Sequence, residues 1–412
     1  MSKVVVIGGG IVGLMSAYYL NQSGHQVTVI EKSDFTKTCS YGNAGLIVPS
    51  HIIPLAAPGM ISMGLKWMFN PGSPFGFKPS LSKDLISWIW KFYKSSNKTH
   101  VDKSKIPLRD FNLLSKELYQ ELSKSFDFHL KNTGILLMFK TEEAGRHEIE
   151  TGIEARHLGL DIEILNGKEV QEIEQIETNV AGAVYFKCDS HIYPGKLLTA
   201  IIDHLKDNNT VILDNTEILN FELKNGKITT VITKDKIIEA DYFVLSGGMW
   251  SNKLSRKLNI NIPLQSGKGY SITLQNFKNP PKYPSLLLET RAAVTPMGND
   301  LRLAGTMELG SNNDKINFKR VKGYLSRMKD YYPGIDPIIP NAKEIWFGHR
   351  PCSPDGLPYI GKSDKFDNLV YATGHAMMGL SLGPATGKLV QEIIDDKKTS
   401  VDLTPFNPER YN

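Results

Sequence analysis

The sequence predicts an α/β fold in which a Rossmann-like dinucleotide-binding domain is interrupted by a second, α+β domain. A strand, a glycine-rich turn and a helix open the chain over residues 3–22, and the same three features return after residue 342. Between them lie stretches that alternate strands with turn residues. We therefore expect a first domain of residues 1–50, 190–259 and 342–412, and a discontinuous substrate domain of residues 51–189 and 260–341.

The first elements form a βαβ unit. Residues 3–7, KVVVI, are a continuous run of the kind found in strands buried on both faces of a parallel sheet. Residues 11–22 have helical spacing, and Gly24 follows as a stop signal. Residues 27–30, VTVI, predict a second buried strand. The unit is complete within the length typical of this motif.

Later elements follow from the same reasoning. Helical spacing predicts helices over 108–126, 142–158 and 194–207, the last with proline in its first turn. Strands are predicted over 134–139 and 242–245, with a hairpin through Asn225 and Gly226. The segment 49–79 is irregular and rich in proline, which predicts a long excursion over the surface or over a ligand; its aromatic residues are Trp67, Phe69, Phe75 and Phe77.

The composition excludes several classes of protein. The chain has 412 residues with 48 Lys plus Arg against 43 Asp plus Glu, and this net charge of +5 is too small to predict nucleic-acid binding. No run of eighteen apolar residues occurs, so a spanning helix is not expected. Three widely spaced cysteines without a CxxC pair argue against a disulfide framework and a metal site. A cytoplasmic location is the expectation, since the first strand leaves no room for a signal peptide.

A glycine motif follows the first strand directly. Gly8, Gly10 and Gly13 form GxGxxG, in which the first residue makes a tight turn and the second admits a pyrophosphate. Glu31 ends the second strand 18 residues after Gly13, where a carboxylate accepts hydrogen bonds from ribose hydroxyls and disfavours NADP. The motif alone leaves FAD and NAD open. The residues expected to contact the dinucleotide here are Gly8, Gly10, Ile11, Val12, Gly13, Glu31 and Lys32.

Four later segments carry a family resemblance. They are CSYGNAG at 39–45, KGYS at 268–271, GHRPCSPDGLPYIG at 348–361 and ATGHAMMGLSLGPATG at 372–387. Together they resemble the D-amino-acid oxidase superfamily of FAD proteins, and most closely its bacterial D-amino acid dehydrogenase branch. His349 and the AMMGLSLGPATG loop depart from the usual pattern of that branch, which puts the substrate in more doubt than the fold.

The resemblance implies FAD as the cofactor. Ser40 would bind a phosphate or ribose, small residues after it would let the flavin ring lie against backbone, and the loop before the last helix would face the pyrimidine edge of the ring. Cys352 invites the idea of a covalent flavin bond, but its spacing to Asp355 differs from that pattern, so non-covalent FAD is expected. The further cofactor contacts implied are Ser40, Asn43, Ala44, Gly45, Leu46, Ile218, Gly247, Trp250, Gly348, Arg350, Gly374, His375, Gly379, Leu380 and Ser381.

The resemblance also implies a substrate site. Arg350 is expected to pair with the carboxylate of a small-molecule amino or imino acid, since its planar fork of donors suits that group. The alternative interpretation is that Arg350 forms a structural salt bridge. Tyr270 would close the site with its hydroxyl or be a core tyrosine, and His375 and His51 would contact substrate or be structural. Lys268 would orient a flavin carbonyl or be solvated.

The expected reaction is oxidative deamination. With the carboxylate held and the amine neutral, the α-hydrogen passes as hydride to flavin, and the imino acid hydrolyses to a 2-oxo acid. A quinone or another respiratory acceptor would take the electrons. The aromatic cluster ISWIWKFY at 86–93 raises the hypothesis of peripheral contact with the inner face of the cytoplasmic membrane, against a plain hydrophobic lid.

Four functions remain in competition. The first is dehydrogenation of a small D-amino acid, including a cyclic imino acid of the D-proline or D-hydroxyproline type. The second is an oxygen-dependent oxidase of glycine or sarcosine. The third is a flavin-dependent tRNA-modifying module, which the near-neutral charge disfavours. The fourth is a flavin-binding scaffold without catalysis.

Overall fold

The computed structural model describes residues 1–62, 64, 75–77, 82–337 and 340–411. The helices of this part of the chain have caps that explain several of their starts: Ser82, Asn97 and Thr141 each accept a backbone N–H through the side chain. The helices are α1 Ile11–Gln22, α2 Lys83–Ser95, α3 Lys98–Leu122, α4 Glu142–His157, α5 Gly167–Ile173, α6 Pro194–Asp207, α7 Ser251–Arg256, α8 Phe318–Leu325, α9 Met328–Tyr331 and α10 Gly383–Ile394.

Strands make up the two main sheets and two small ones. They are β1 Lys3–Ile7, β2 Gln26–Ile30, β3 Leu46–Ile47, β4 Phe75–Phe77, β5 Ile135–Phe139, β6 Ile162–Asn166, β7 Gly182–Phe186, β8 Ser190–His191, β9 Val211–Leu213, β10 Ile218–Lys224, β11 Lys227–Thr233, β12 Ile237–Glu239, β13 Tyr242–Leu245, β14 Gln265–Leu274, β15 Ser285–Leu287, β16 Ala292–Met297, β17 Asp300–Leu309, β18 Trp346–Cys352, β19 Tyr359–Lys362 and β20 Leu369–Thr373.

The first main sheet is the six-stranded sheet β19-β20-β13-β1-β2-β9. All its neighbours are parallel except the edge pair β19 and β20. The central strand β1 is buried from Val4 to Ile7, as its unbroken β-branched sequence requires. Helix α1 packs against α10, and there is no room for a side chain at Gly387, whose Cβ would lie 2.4 Å from the carbonyl carbon of Met15. This arrangement brings the carboxyl ends of several strands to one edge.

The second main sheet is larger and mostly antiparallel. Its order is β18-β14-β17-β16-β15-β5-β7-β6, with β4 paired to β17. The pairs β15–β5 and β4–β17 are parallel. The long strands β14 and β17 lie beside each other and place the middle of KGYS next to residues 304–308. Sheet and helices therefore form the mixed α/β architecture that the sequence predicts.

Most predicted elements are confirmed. The strand 3–7, the helices 11–22 and 194–207 and the strand 242–245 have the predicted bounds, and the hairpin at Asn225 joins β10 to β11. The helix predicted over 108–126 is wrong at both ends, because α3 starts after Asn97, continues through Pro107 and ends at Leu122. Prolines in helices usually lie in the first turn, so Pro107 led to a predicted helix start at residue 108 and the residues before it were not predicted as helical.

Two predictions are not settled by these elements. The division into two discontinuous domains remains a prediction; β18, which lies within residues 342–412, belongs to the large sheet. Of the irregular segment 49–79, Phe75 and Phe77 form strand β4, whereas Trp67 and Phe69 lie outside the described residues.

Candidate active site

A cavity of about 1410 Å³ lies at the carboxyl ends of the parallel strands. Gly8, Glu31, Ser246 and Gly374 line it, and they directly follow β1, β2, β13 and β20. Residues of β14, β17 and β18 line it from the other main sheet. Cavities for drug-sized ligands measure roughly 300–1,000 Å³, so this one has room for a dinucleotide together with a small substrate.

The cavity brings together most of the predicted site residues. Gly13, Gly45 and Ser381 are the predicted residues that do not line it. The predicted residues that do are Gly8, Gly10, Ile11, Val12, Glu31, Lys32, Ser40, Asn43, Ala44, Leu46, His51, Ile218, Gly247, Trp250, Tyr270, Gly348, Arg350, Gly374, His375, Gly379 and Leu380. Their roles toward cofactor and substrate remain predictions.

The glycine turn leaves no space for side chains. Gly8 has φ +111°, and a Cβ on it would lie 2.6 Å from the carbonyl oxygen of Ser246. A Cβ on Gly13 would lie 1.9 Å from the carbonyl oxygen of Gly8, so the third glycine serves the packing of α1 on β1. The first-turn amide of Ile11 donates to Ser40 Oγ at 3.0 Å. The positive end of helix α1 therefore faces the cavity beside a hydroxyl group.

Glu31 and Lys32 form the wall where β2 ends. The carboxylate of Glu31 is buried and accepts from the amide of Gly9 at 2.8 Å and from the hydroxyl of Ser33 at 2.8 Å. Glu31 Oε1 also accepts from the amide of Ser33 at 3.0 Å, whereas Oε2 accepts only from Gly9, so Oε2 keeps a lone pair for a ribose hydroxyl. Lys32 Nζ lies 3.1 Å from the ring centroid of Trp250, a cation–π contact that orders this end of the cavity.

The segment 40–46 is fixed by bonds from the large sheet. Arg302 Nη1 donates to the carbonyl oxygens of Tyr41 and Asn43 at 3.2 and 2.8 Å. Ser271 Oγ donates to the carbonyl of Gly42 at 2.7 Å. Sequence reasoning missed Arg302, because an arginine within a strand carries no motif of its own. Arg302 fixes the backbone of the segment 40–46, which contains predicted flavin contacts.

The loop before α10 is held from behind by helix α3. Ser115 Oγ donates to the carbonyl of Ser381 at 2.6 Å, and the hydroxyl of Tyr119 donates to the carbonyl of Leu380 at 2.6 Å. Ser381 Oγ accepts from the amide of Val48 at 3.0 Å. Helix α10 itself begins at Gly383, two residues after Ser381, and Ser381 does not line the cavity.

Arg350 lies on β18 with its guanidinium against the backbone of β14. Its Nη1 donates to the carbonyl oxygen of Thr306 at 2.8 Å, and a Cβ on Gly269 would lie 2.3 Å from its Nη2. Among the described residues no carboxylate lies within ion-pair distance of this guanidinium. Burial lowers its pKa, yet an arginine stays protonated in proteins. Within the described residues Arg350 is therefore a buried cation that no carboxylate contacts.

Tyr270 and His375 both have their polar atoms engaged elsewhere. The hydroxyl of Tyr270 donates to Glu308 Oε1 at 2.5 Å and accepts from the amide of Asn317 at 3.1 Å. His375 Nε2 lies 3.0 Å from Thr386 Oγ1, and burial lowers the pKa of its imidazole to about 3. These bonds favour the structural alternatives that the sequence left open for both residues.

Two further residues of the motifs are also placed. Lys268 is buried and donates to the carbonyl oxygens of Asn313 and Lys315 at 3.0 and 2.7 Å, so it is not solvated. Cys352 does not line the cavity, and burial raises the pKa of its thiol to about 12. A buried protonated thiol is a poor nucleophile, which agrees with the expectation of non-covalent FAD.

His51 differs from the other histidines of the cavity. Its Nδ1 lies 3.2 Å from Ser50 Oγ, and its Nε2 has no hydrogen-bond partner within the described ranges. Ser50 Oγ in turn donates to Asp189 Oδ2 at 2.6 Å. Sequence reasoning missed Ser50 and Asp189, which are 139 residues apart and share no motif.

Comparison with known proteins decides the family. A model of the FAD dependent oxidoreductase family, DAO, matches residues 3–393. The chain belongs to the DAO family of FAD-dependent oxidoreductases. The curated D-amino acid dehydrogenase of Helicobacter pylori is 33% identical over 416 residues, with 98% of each chain covered. The resemblance seen in the sequence is thereby confirmed.

Solved structures show the same fold. Glycine oxidase from Geobacillus kaustophilus superposes with a TM-score of 0.77 at 22% identity, covering 100% of both chains. L-proline dehydrogenase from P. horikoshii superposes with a TM-score of 0.75 at 20% identity, covering 100% of this chain and 97% of the other. The Rossmann-like prediction for the parallel sheet is therefore confirmed, and this DAO-family protein has FAD as its cofactor.

The residues of this chain fit that cofactor. Gly10 lines the cavity, and a Cβ there would meet only Ser40 Oγ, at 3.3 Å, so the start of α1 has open space beside it for a pyrophosphate. Glu31 lies at the end of β2, where the ribose hydroxyls of a dinucleotide are bound. The cavity continues past Asn43 and Ala44 to Arg350, so flavin and substrate sites share one space.

Proposed function

We propose that this DAO-family protein oxidatively deaminates a small D-amino acid, with cyclic imino acids of the D-proline or D-hydroxyproline type among the candidates. FAD is bound non-covalently, and the electrons pass to a quinone or another respiratory acceptor. The single observation that carries the proposal is Arg350, a cavity arginine without a carboxylate partner among the described residues. A substrate carboxylate supplies the partner that such a buried cation requires.

The comparisons support the substrate class. Relatives from Helicobacter pylori and Vibrio atlanticus, which match at least 98% of this chain, are both named D-amino acid dehydrogenase. Two structural neighbours are a glycine oxidase and an L-proline dehydrogenase, which extends the candidates to glycine and to ring-containing amines. Preference for the D-enantiomer rests on the first group alone.

The mechanism depends on how the chain orients the substrate. The guanidinium of Arg350 forms paired hydrogen bonds to the substrate carboxylate, and its own position is fixed by the carbonyl of Thr306. Gly269 lets the guanidinium lie on the backbone, so the α-carbon is held at one depth in the cavity. When bound, FAD supplies the two-electron acceptor for the α-hydrogen. The imino product of a primary amino acid then hydrolyses to a 2-oxo acid and ammonia, whereas a proline-type substrate gives a cyclic imine and releases no ammonia.

Electron transfer to a quinone requires contact with a membrane surface. Helix α2 has an exposed apolar face of Ile86, Ile89, Trp90 and Tyr93, with Lys94 beside Trp90. Trp and Tyr favour membrane interfaces, and lysines favour anionic lipids. We include peripheral contact of this face with the membrane in the proposal. None of the described helices is long and apolar enough to cross a bilayer.

The second candidate is an oxidase of glycine or sarcosine that uses oxygen. It is favoured by the glycine oxidase fold of a neighbour and by the guanidinium of Arg350, which suits the carboxylate of any small amino acid. The two candidates differ in the product of reoxidation, because an oxidase releases hydrogen peroxide.

The experiment is anaerobic reduction of the purified holoenzyme. D- and L-amino acids, D- and L-proline derivatives, glycine and sarcosine are added separately while the flavin absorbance is recorded. Bleaching by D-amino acids or D-proline derivatives is expected, followed by faster reoxidation with a quinone analogue than with oxygen. Bleaching by glycine or sarcosine with stoichiometric peroxide would establish the second candidate. A flavin that no amine reduces would refute both.

A further inference from the structure

His51, Ser50 and Asp189 form a chain of hydrogen bonds that ends in the cavity. Asp189 is fully buried and binds Ser50 with both carboxylate oxygens: Oδ1 accepts from the Ser50 amide at 3.0 Å, and Oδ2 accepts from the Ser50 hydroxyl at 2.6 Å. Ser50 Oγ lies 3.2 Å from His51 Nδ1. His51 lines the cavity that contains Arg350.

These bonds determine the tautomer of His51. When Asp189 is ionised its carboxylate is an acceptor only, so the single hydroxyl proton of Ser50 is donated in the hydrogen bond to Oδ2. Ser50 Oγ is then the acceptor toward His51, so Nδ1 carries the proton of the neutral imidazole. Nε2 is left with a lone pair and with no partner among the described residues.

We propose that His51 Nε2 accepts a proton from the ammonium group of the substrate, and that Ser50 and Asp189 are its positioning residues. The step breaks one N–H bond of the substrate ammonium and forms the Nε2–H bond. The electron pair of the broken bond stays on the substrate nitrogen, and the proton later leaves to solvent. The inference rests on the proposed function, since hydride loss from the α-carbon needs a neutral amine.

Burial sets the protonation states of the two titratable members of this chain of bonds. It lowers the pKa of His51 to about 4, so the ring is neutral at pH 7 and Nε2 is unprotonated. Burial raises the pKa of Asp189 to about 7, against the opposing effects of its Ser50 bonds and of Lys116. The other titratable group in contact with Asp189 is Cys188, whose thiol donates weakly to Oδ1. A carboxylate behind Ser50 stabilises the imidazolium once it forms.

This arrangement gives the activity a specific pH dependence. Below pH 7 Asp189 becomes protonated and its own O–H points at Ser50 Oγ. The Ser50 hydroxyl then donates to His51 Nδ1, which moves the ring proton to Nε2 and removes the acceptor. The rate of anaerobic flavin reduction is therefore expected to fall as the pH drops through about 7.

Three variants test the chain of bonds. In Asp189→Asn the Ser50 amide keeps the amide oxygen at the Oδ1 position, so Nδ2 faces Ser50 Oγ and imposes the wrong tautomer of His51. His51→Gln removes the acceptor, and Ser50→Ala removes the link. Ser363→Ala, which deletes another buried serine hydroxyl that binds a carboxylate away from the cavity, is the matched control.

The expected result is a rate loss that depends on pH. At pH 7, His51→Gln and Asp189→Asn should each reduce the rate of flavin reduction about 10²-fold or more. At high pH, where the free substrate amine is neutral, His51→Gln should approach the wild-type rate; a merely structural role would not give this recovery. At a pH well above 7, where Asp189 is ionised, histidine labelled with ¹⁵N should show Nδ1–H in the wild-type protein and Nε2–H in Asp189→Asn, independently of turnover.

The outcomes separate this inference from the proposed function. If no amino acid bleaches the wild-type flavin, the proposed function fails, while the ¹⁵N spectra still test the tautomer. If the wild type is bleached but His51→Gln has the same rate at pH 7, the inference is wrong. A loss in His51→Gln that is equal at all pH values would also overturn it.

Discussion

Asp355 and Arg410 form a two-point ion pair between the loop after β18 and the end of the described chain. Arg410 Nε lies 2.6 Å from Oδ2 and Nη2 lies 2.9 Å from Oδ1. The guanidinium also stacks on Tyr359 at 4.1 Å and donates to the carbonyl of Leu357 at 2.8 Å. The pair fixes the loop that directly follows the strand carrying Arg350.

Breaking this pair should destabilise the protein. Arg410→Met leaves the buried carboxylate of Asp355 without its partner, and we expect a loss of roughly 3–5 kcal/mol in the free energy of unfolding at pH 7. Arg256→Met breaks an exposed pair with Asp84 and is the matched control, with an expected loss of about 0.2–1 kcal/mol. Urea unfolding of both variants makes the comparison, and equal losses would contradict the burial argument.

The contribution of Asp355 should also depend on pH in one direction. Burial raises the pKa of its carboxyl, but Arg410 and the hydrogen bonds outweigh burial, and the net pKa is lowered. The stabilisation is therefore present above the unfolded pKa of about 3.9 and is lost as the pH falls through the folded value. The stability difference between wild type and Asp355→Asn should shrink below pH 4. A difference that grows on acidification would show that the sign is wrong.

Gly8→Ala should weaken both the fold and FAD binding. The new Cβ would lie 2.6 Å from Ser246 O in a residue with φ +111°, so β13 or the turn must shift. Gly24→Ala is the control, because Gly24 has φ +86° but no atom within 4 Å of its Cβ position. The control should lose about 1–2 kcal/mol of stability from conformation alone. Gly8→Ala should lose more, and its flavin content after gel filtration should fall while that of Gly24→Ala does not.

The parts of this site that the sequence predicts are those with local signals. GxGxxG lies between a strand and a helix, and its geometry is dictated by the backbone at Gly8 and Gly13. Arg302 and Asp189 could not be predicted in the same way, because their partners lie far away in the sequence. Tyr270 was predicted only in part. The KGYS motif indicates that it lies at the cavity, but the direction of its hydroxyl is set by Glu308 on the neighbouring strand, which the motif does not include.

Arg350→Met should raise KM for the amino acid and leave bound flavin intact. The substitution keeps an unbranched side chain beside Gly269 but removes the cation, and we expect a loss of about 2–5 kcal/mol in substrate binding. Arg350→Lys should recover part of the loss, because an ammonium retains the charge without the paired geometry. Arg327→Met removes an exposed arginine and should change neither KM nor the spectrum. Loss of flavin from Arg350→Met would show that this arginine serves the cofactor instead.

The apolar face of helix α2 should bind anionic membranes. The helix is pinned from its other side, where Trp88 Nε1 donates to the carbonyl oxygen of Cys352 at 2.9 Å. Its outward side chains Ile86 and Trp90 are 55% and 57% exposed, so they are free to enter a lipid interface. Burial of a large apolar side chain contributes about 1.5–3 kcal/mol, so each substitution to serine should weaken binding roughly tenfold or more.

Sedimentation with vesicles tests this face directly. The wild-type holoenzyme should pellet with vesicles that contain phosphatidylglycerol more than with neutral phosphatidylcholine, because lysines of the helix attract anionic headgroups. Ile86→Ser and Trp90→Ser should each weaken vesicle binding roughly tenfold or more without changing anaerobic flavin reduction, since neither residue lines the cavity. Ile237→Ser removes an equally exposed isoleucine from β12 and should pellet like the wild type. If wild type and both helix variants pellet alike, the exposed face of α2 is not the membrane contact, and the route of electrons to a quinone must begin elsewhere on the surface.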